Sequence, residues 1–159
     1  MHSDVAPLAV GDAAPELSLL DDTETRRDLA AERGRRVVLF FYPKDFTGGC
    51  TTEVCEFRDS YAGFEELDVS VWGVSVLDTG SKAKFKAKHG LPFSLLADED
   101  HAVAERYGTW VEKNNYGKVS KGVERATFVI GPDGDIEHVW RKVKAPGHAA
   151  TVLETLDQS

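Results

Sequence analysis

The sequence predicts an α/β protein with a central mixed β-sheet and helices on both faces. Three features carry that prediction. First, an apolar run at 36–42 is followed by a helical stretch at about 49–67 and a second apolar run, Val69 to Val76. Strand, helix and strand with a crossover of this length imply a right-handed unit with parallel pairing. Second, Ala126 to Ile130, the turn Gly131-Pro132-Asp133-Gly134 and a return from Asp135 to Val143 read as an antiparallel hairpin. Third, helical patterns recur between and after the strands.

Residues 1–14 read as an irregular lead-in. Glu16 to Leu20 forms a short strand, Asp21-Asp22-Thr23 turns, and Thr25 to Asp28 returns as the other arm of a hairpin. Leu29 to Arg33 makes one helical turn, ended by Gly34. Pro43 stops the buried strand 36–42 because it has no N–H for a ladder bond. Asp45 and Thr47 are good helix caps, and Gly48-Gly49 allows a tight turn. The helix that follows carries Val54, Phe57, Tyr61 and Phe64 at spacings of three and four.

After the strand 69–76, Ser81 caps a helix to His89, closed by Gly90. Leu91 to Leu96 is a short strand interrupted by Pro92. Asp98 or Asp100 caps a helix that reaches Tyr107 and ends at Gly108. Trp110 to Val123, with Asn114-Asn115-Tyr116-Gly117, reads as a loop. Pro146-Gly147-His148 leads into a last helix at 148–157. No repeat, linker or low-complexity segment interrupts the order, so residues 1–159 are expected to form one domain.

A chain of 159 residues buries a substantial core in one unit. Its 42% hydrophobic and 29% charged content is ordinary for a globular protein. A formal net charge of -8 and a pI near 5.1 argue against a nucleic-acid or anionic-membrane surface. No run approaches the roughly 18 apolar residues of a membrane helix. The start, Met1-His2-Ser3-Asp4-Val5-Ala6-Pro7, has no basic segment followed by an apolar one, so no signal peptide is expected. A reducing cytoplasm is the expected setting, where two cysteines point to redox or metal chemistry more than to a structural bridge.

Those cysteines are Cys50 and Cys55. Cys50 lies four residues before Val54, inside the apolar stripe of the first helical turn. Cys55 sits roughly 140° further round the same helix. Residues five apart in a helix have Cα atoms about 8.7 Å apart, from a rise of about 1.5 Å and a radius of about 2.3 Å. A disulfide needs roughly 4.4–6.8 Å. The two cannot bond while the helix is intact, which suits a pair that reacts in sequence and not a static staple. A helix N-terminus carries unsatisfied N–H groups and partial positive charge, which favour a thiolate. Thr47 supplies a hydroxyl nearby, and Lys44 adds local charge.

Each candidate has a plainer reading. Cys50 as a small buried hydrophobe conflicts with its helix-start position, the neighbouring Thr47 and the second cysteine. Cys55 is a weaker signal by itself. Arg125, just before an apolar strand, reads alone as a solvated strand-end charge. Lys82, Lys84, Lys86 and Lys88 read as a solvated helix face and not a nucleic-acid site. Cys-x4-Cys without two further close ligands is poor for zinc, and the five His show no paired spacing, so no metal site is expected. Trp72 and Trp140 lie in strands and read as core. Phe46 either walls a pocket or packs under the helix.

The run Phe41-Tyr42-Pro43-Lys44-Asp45-x-Thr47-x-Gly49-Cys50, with Cys55 five residues on, resembles the peroxiredoxins of the bacterioferritin comigratory protein (peroxiredoxin Q) subfamily. Pro43, Thr47 and Cys50 match the peroxiredoxin pattern Pro-x3-Thr-x2-Cys. The likeness continues through Gly73-Val74-Ser75, Phe85 to Phe93, Glu124 to Ile130 and Val139 to Lys144, so it covers nearly the whole chain in order. Two residues depart from it: Gly48 stands where the subfamily usually has Pro, and Phe46 where smaller or polar residues are common.

The resemblance implies a thioredoxin-like fold and a thiol peroxidase acting on hydrogen peroxide and small organic hydroperoxides. It implies Cys50 as the peroxidatic and Cys55 as the resolving cysteine. Thr47 and Arg125 would stabilise the reacting groups, and Pro43 would shield the sulfur. It further implies an intramolecular disulfide, thioredoxin as reductant, a monomer and no cofactor. A thiol–disulfide oxidoreductase on the same fold would more naturally carry Cys-x2-Cys, which is absent. A redox sensor or metal-binding module is a third, non-enzymatic reading.

Overall fold

The computed structural model describes residues 8–158. A hairpin of β1 (Ser18–Leu20) and β2 (Arg26–Asp28) passes through a 3-10 turn at Leu29–Glu32 into β3 (Arg36–Phe41). Then come α1 (Gly48–Asp59), α2 (Tyr61–Glu66), β4 (Val69–Ser75), α3 (Thr79–His89), β5 (Ser94–Ala97) and α4 (Ala102–Arg106). The chain ends with β6 (Trp110–Asn115), β7 (Lys118–Val123), β8 (Ala126–Ile130), β9 (Ile136–Trp140) and α5 (His148–Asp157). Residues 1–7 of the expected lead-in lie outside the described residues. Its later part is tied down, with Gly11 N–H bonded to the Ile136 carbonyl and Ala14 N–H to that of Gly134.

β3 is the middle of a five-stranded sheet ordered β5-β4-β3-β8-β9. It pairs parallel with β4 and antiparallel with β8, so the sheet is mixed as the sequence predicts. Its apolar run is continuous because both faces are covered. Val37, Leu39 and Phe41 join one cluster with Val74, Tyr107, Phe128 and Ile130. Val38, Phe40 and Tyr42 join the other with Cys50, Val54, Phe57, Phe85 and Val152. Period-two alternation sends neighbours to opposite layers. Both parallel crossovers are helical, and α1, α3 and α5 all bury residues in the second cluster, while α4 contributes Val103 and Ala104 to the first. Gly73 on β4 sits under Phe40, whose ring would lie 2.7 Å from a Cβ there.

Several expectations are corrected. The helix expected at 49–67 is two helices, because Ser60 takes ψ 0 at their junction. The expected loop at 110–123 is a two-stranded hairpin, β6 with β7. Tyr116 and Gly117 both have positive φ, 55° and 84°, the conformation a two-residue hairpin turn demands. The Asn114 side-chain oxygen accepts from the Gly117 N–H. Most of this ribbon is exposed, so it lacks the apolar alternation that marks a half-buried strand. The α3 cap is Asp78, whose carboxylate accepts from Ser81 N–H at 2.8 Å; Ser81 is not the cap. For α4 the N-cap position is His101, and Asp98 serves from further back by accepting from the Val103 and Ala104 N–H groups.

Candidate active site

β3 delivers the chain to Tyr42 at the C-terminal end of the central strand, and Pro43 ends the ladder there. The loop to Thr47 then feeds α1, whose first turn holds Cys50. Cys50 is fully buried in the stripe Cys50, Glu53, Val54 and Phe57. The first helical bond in this turn runs from Thr51 N–H to the Thr47 carbonyl at 2.8 Å. The N–H groups before it have no intrahelical acceptor and point along the axis toward the loop.

Arg125 reaches this turn through sheet register. Phe41 on β3 faces Ala126 on β8, so the residue before Ala126 lies beside the end of β3. The guanidinium forks: Nη2 donates to Cys50 Sγ at 3.3 Å, and Nη1 donates to Glu53 Oε1 at 2.6 Å. The rigid planar fork fits both acceptors at once. The Arg125 carbonyl accepts from Val143 N–H, which fixes its backbone. Gly49 makes room, since a Cβ there would lie 3.1 Å from Nη2.

Glu53 was not singled out in the sequence, although it falls three residues after Cys50 on the same stripe. That position is the signal: a carboxylate among buried apolar residues needs a cationic partner. Burial pushes the Glu53 carboxyl up to about 7, against the opposing pull of Arg125. Its second oxygen has no hydrogen-bond partner among the described residues. His148, at the start of α5, shares a 2.7 Å hydrogen bond with Thr127. Burial, helped by the Arg125 charge, lowers it to about 4.

The remaining expected residues fall as follows. Thr47 is the N-cap residue of α1 but makes no side-chain cap; its hydroxyl donates to the Lys44 carbonyl at 3.1 Å. Asp45 is not a cap either, because its carboxylate turns inward and is buried. Pro43 is half-buried between Tyr42 and this loop. Cys55 is half-buried, packs against the second cluster, and is free, as is Cys50. Phe46 is 46% exposed with φ 67°, a costly conformation for an aromatic, and its ring rests on Phe85 at 4.9 Å.

The reading of Lys82 as part of a solvated face is overturned. Lys82 is fully buried beside Asp45, whereas Lys84 and Lys88 are exposed. Its spacing of three from the buried Phe85 places it on the inner side of α3. Among the described residues, no group of three or more His, Cys, Asp and Glu is placed to hold a metal ion. No described helix is long and apolar enough to cross a membrane.

The model of the AhpC/TSA family matches residues 10–139. Peroxiredoxin Bcp of Bacillus subtilis is 46% identical over 149 residues, covering 94% of this chain and 95% of that one. Peroxiredoxin Bcp of Escherichia coli is 40% identical over 152 residues, covering 96% and 97%. Among solved structures, a cysteine-to-serine mutant of Xylella fastidiosa PrxQ superposes with a TM-score of 0.91 at 35% identity, covering 97% of this chain and 98% of that one. The bacterioferritin comigratory protein of Xanthomonas campestris, solved in a study of its alkyl peroxide reduction activity, gives 0.86 at 39% identity, covering 89% and 90%. These neighbours share the central mixed sheet and flanking helices of the thioredoxin-like fold.

Proposed function

The chain belongs to the AhpC/TSA family, alongside the Bcp and PrxQ peroxiredoxins, and from that premise we propose that Cys50 is the peroxidatic cysteine of a two-cysteine thiol peroxidase. The observation that carries this reading is the 3.3 Å contact from Arg125 to a buried Cys50 in the first turn of a helix. A permanently charged donor and the helix N-terminus together favour an anionic sulfur.

The thiolate attacks the terminal oxygen of the hydroperoxide. The O–O bond breaks, Cys50 becomes a sulfenic acid, and the other oxygen leaves with a proton as water or an alcohol. Arg125 and the free helix N–H groups face the charge that moves along the O–O bond. Thr47 has given its own hydrogen to Lys44, so its lone pairs accept the peroxide O–H. Glu53 holds the Arg125 fork in plane, and Pro43 screens the sulfur. The exposed Thr47, Gly48 and Gly49 leave a short approach suited to hydrogen peroxide and small organic hydroperoxides.

Cys55 then attacks the Cys50 sulfur, water leaves, and an intramolecular disulfide forms. A dithiol protein of the thioredoxin type reduces it in the cytoplasm. Both sulfurs belong to one chain, so a single-domain monomer completes the cycle, and no metal or organic cofactor takes part.

The test is NADPH oxidation on adding peroxide to the reduced protein with thioredoxin and its reductase. Turnover is expected, with none in Cys50→Ser. Cys55→Ser is expected to stop at the sulfenic acid and to lose thioredoxin-dependent turnover. Undiminished NADPH consumption by Cys50→Ser removes the proposal.

A further inference from the structure

Beneath the Pro43–Thr47 loop lies a polar cluster that takes no part in the chemistry above. The Asp45 carboxylate accepts from Tyr42 Oη at 2.5 Å, Ser81 Oγ at 2.7 Å and Lys82 Nζ at 3.2 Å. Lys82 Nζ also lies 3.3 Å from Tyr42 Oη and donates to Ser75 Oγ. The Asp45 and Lys82 side chains have no exposed surface. One ion pair thus joins the active-site loop, the end of β3, the last residue of β4 and the first turn of α3.

A fully buried Lys–Asp pair is poor value for stability, because desolvating two charges offsets most of their attraction. Burial does pull the Lys82 ammonium down from its ordinary range, while Asp45 holds it up. What the pair supplies is geometry. Asp45 stands two residues after Pro43 and two before Thr47, the residue that opens α1. The loop is tied to α3 again one step later, where Phe46 rests on Phe85 and Lys88 Nζ stands 5.9 Å from the Phe46 ring. Ser81, Lys82, Phe85 and Lys88 form a rail along one side of α3.

At the far end of the reactive segment, Glu56 Oε1 accepts from Gly147 N–H at 2.8 Å and Phe57 is buried. The residues that must unwind are therefore bracketed by two anchors, at Asp45 and at Glu56.

We propose that Lys82 is a positioning residue for peroxide reduction: through Asp45 it fixes the Pro43–Thr47 loop, and so sets Thr47 and the first turn of α1 around the peroxide. It rests on the peroxidase reading of Cys50. Lys82 touches neither sulfur. Its contribution is transmitted by the loop, which stays in place while the helix beyond it melts.

The experiment compares wild type with Lys82→Met, Asp45→Asn, Ser81→Ala and the combined Lys82→Met/Asp45→Asn protein. Three quantities are read: thermal midpoint, the rate constant for oxidation of reduced Cys50 by hydrogen peroxide, and the rate of Cys50 alkylation by iodoacetamide at the same pH. The single charge variants strand a buried charge and melt early, whereas the combined variant recovers much of the midpoint. The combined variant is still expected to react with peroxide about tenfold or more slowly, since small misplacements of aligned groups cost that much. Its alkylation, which needs the thiolate but no peroxide alignment, stays within about twofold, and Ser81→Ala falls between wild type and the combined variant in peroxide rate.

A combined variant with a recovered midpoint and the wild-type peroxide rate overturns the proposal. So does a parallel fall in peroxide and alkylation rates, which assigns the effect to the sulfur itself. If the combined variant does not fold, an unchanged peroxide rate in Ser81→Ala overturns it and a selective fall supports it. Wild type that fails to consume peroxide defeats the peroxidase reading instead, and the two failures are told apart by that control.

Discussion

Glu53 and His148 both feel the Arg125 guanidinium, and they titrate in opposite senses. Burial raises Glu53 from its ordinary 4.5 to about 7. Between those values the folded protein keeps a proton that the unfolded chain has lost, so stability falls as pH rises through this window. Burial lowers His148 from 6.5 to about 4. There the unfolded chain holds the extra proton, so stability rises with pH and is fully restored above 6.5. Each effect is on the order of 3 kcal/mol, and they oppose each other between about pH 4.5 and 6.5. Replacing one group exposes the other. Relative to wild type, Glu53→Gln should gain stability by roughly 2–3 kcal/mol from pH 4.5 to 7. His148→Gln should lose a similar amount from pH 4 to 6.5. Guanidinium unfolding at four pH values reads both, and parallel curves for variants and wild type would sink the assignment. At this scale the placement of the candidate residues was legible where it is local. Cys50, Cys55, Thr47 and Pro43 share one segment. Arg125 was readable only through the family resemblance, because its place depends on the pairing of β3 with β8. Glu53 and Lys82 were missed because charged residues are ordinarily exposed, and only their spacing from Cys50 and Phe85 signalled burial.

At the scale of the element, the proposed cycle asks α1 to be ordered in one redox state and open in the other. Cys50 and Cys55 are free on an intact helix, where residues five apart hold their Cα atoms about 8.7 Å from each other. The proposed disulfide therefore needs the first turns to open. Gly48 and Gly49 both occupy that turn, yet the structure gives them different jobs. Nothing lies within 4 Å of a Cβ at Gly48, whereas one at Gly49 meets Arg125. Gly48 is the first helical residue, a place proline favours, and Thr47 before it is already extended at φ -88° and ψ 155°. Gly48→Pro should fit without strain and remove freedom from the unwound state, worth about 0.4–1 kcal/mol. Disulfide formation should slow about two- to fivefold, with the first oxidation of Cys50 unchanged. Gly49→Ala should do the reverse, slowing the first oxidation by shifting Arg125. Stopped-flow fluorescence with single peroxide equivalents separates the two steps, and equal effects of both variants on both steps would contradict this division. The sequence reading captured the helix start and the cysteine spacing. It overran the helix end, because the apolar stripe runs through Ser60 into α2 without a break in period.

Across the whole molecule, the proposed disulfide should disturb the two layers of core unequally. Alternation along β3 made both layers legible, and the right-handed crossovers fix which face α1 and α3 cover. What stayed hidden was the ribbon β6–β7, which buries little and so leaves no mark in the apolar pattern. Cys50 and Val54 belong to the layer under α1, with Cys55 packed at its margin. The other layer, with Phe41, Tyr107 and Phe128, contains nothing from α1. Forming the proposed disulfide would withdraw Cys50 and loosen Val54, and a buried valine side chain alone is worth about 1.5–3 kcal/mol. Helical bonds in the opened turns are lost as well. Against this, closing a loop of only about six residues constrains the unfolded chain by roughly 2 kcal/mol. With those bonds counted the balance goes against the oxidised form, so the proposed disulfide should lower stability where a structural disulfide raises it. In a chain of this size each kcal/mol moves the midpoint by about 2–4 °C. Calorimetry should show the oxidised protein melting a few degrees below the reduced one, with a smaller far-UV helix signal before the transition. Cys55→Ser treated with the same single equivalent of peroxide should keep its full helix signal, because no disulfide pulls the turn apart. An oxidised form that melts above the reduced form, with its helix signal intact, would mean that the two sulfurs join without opening α1.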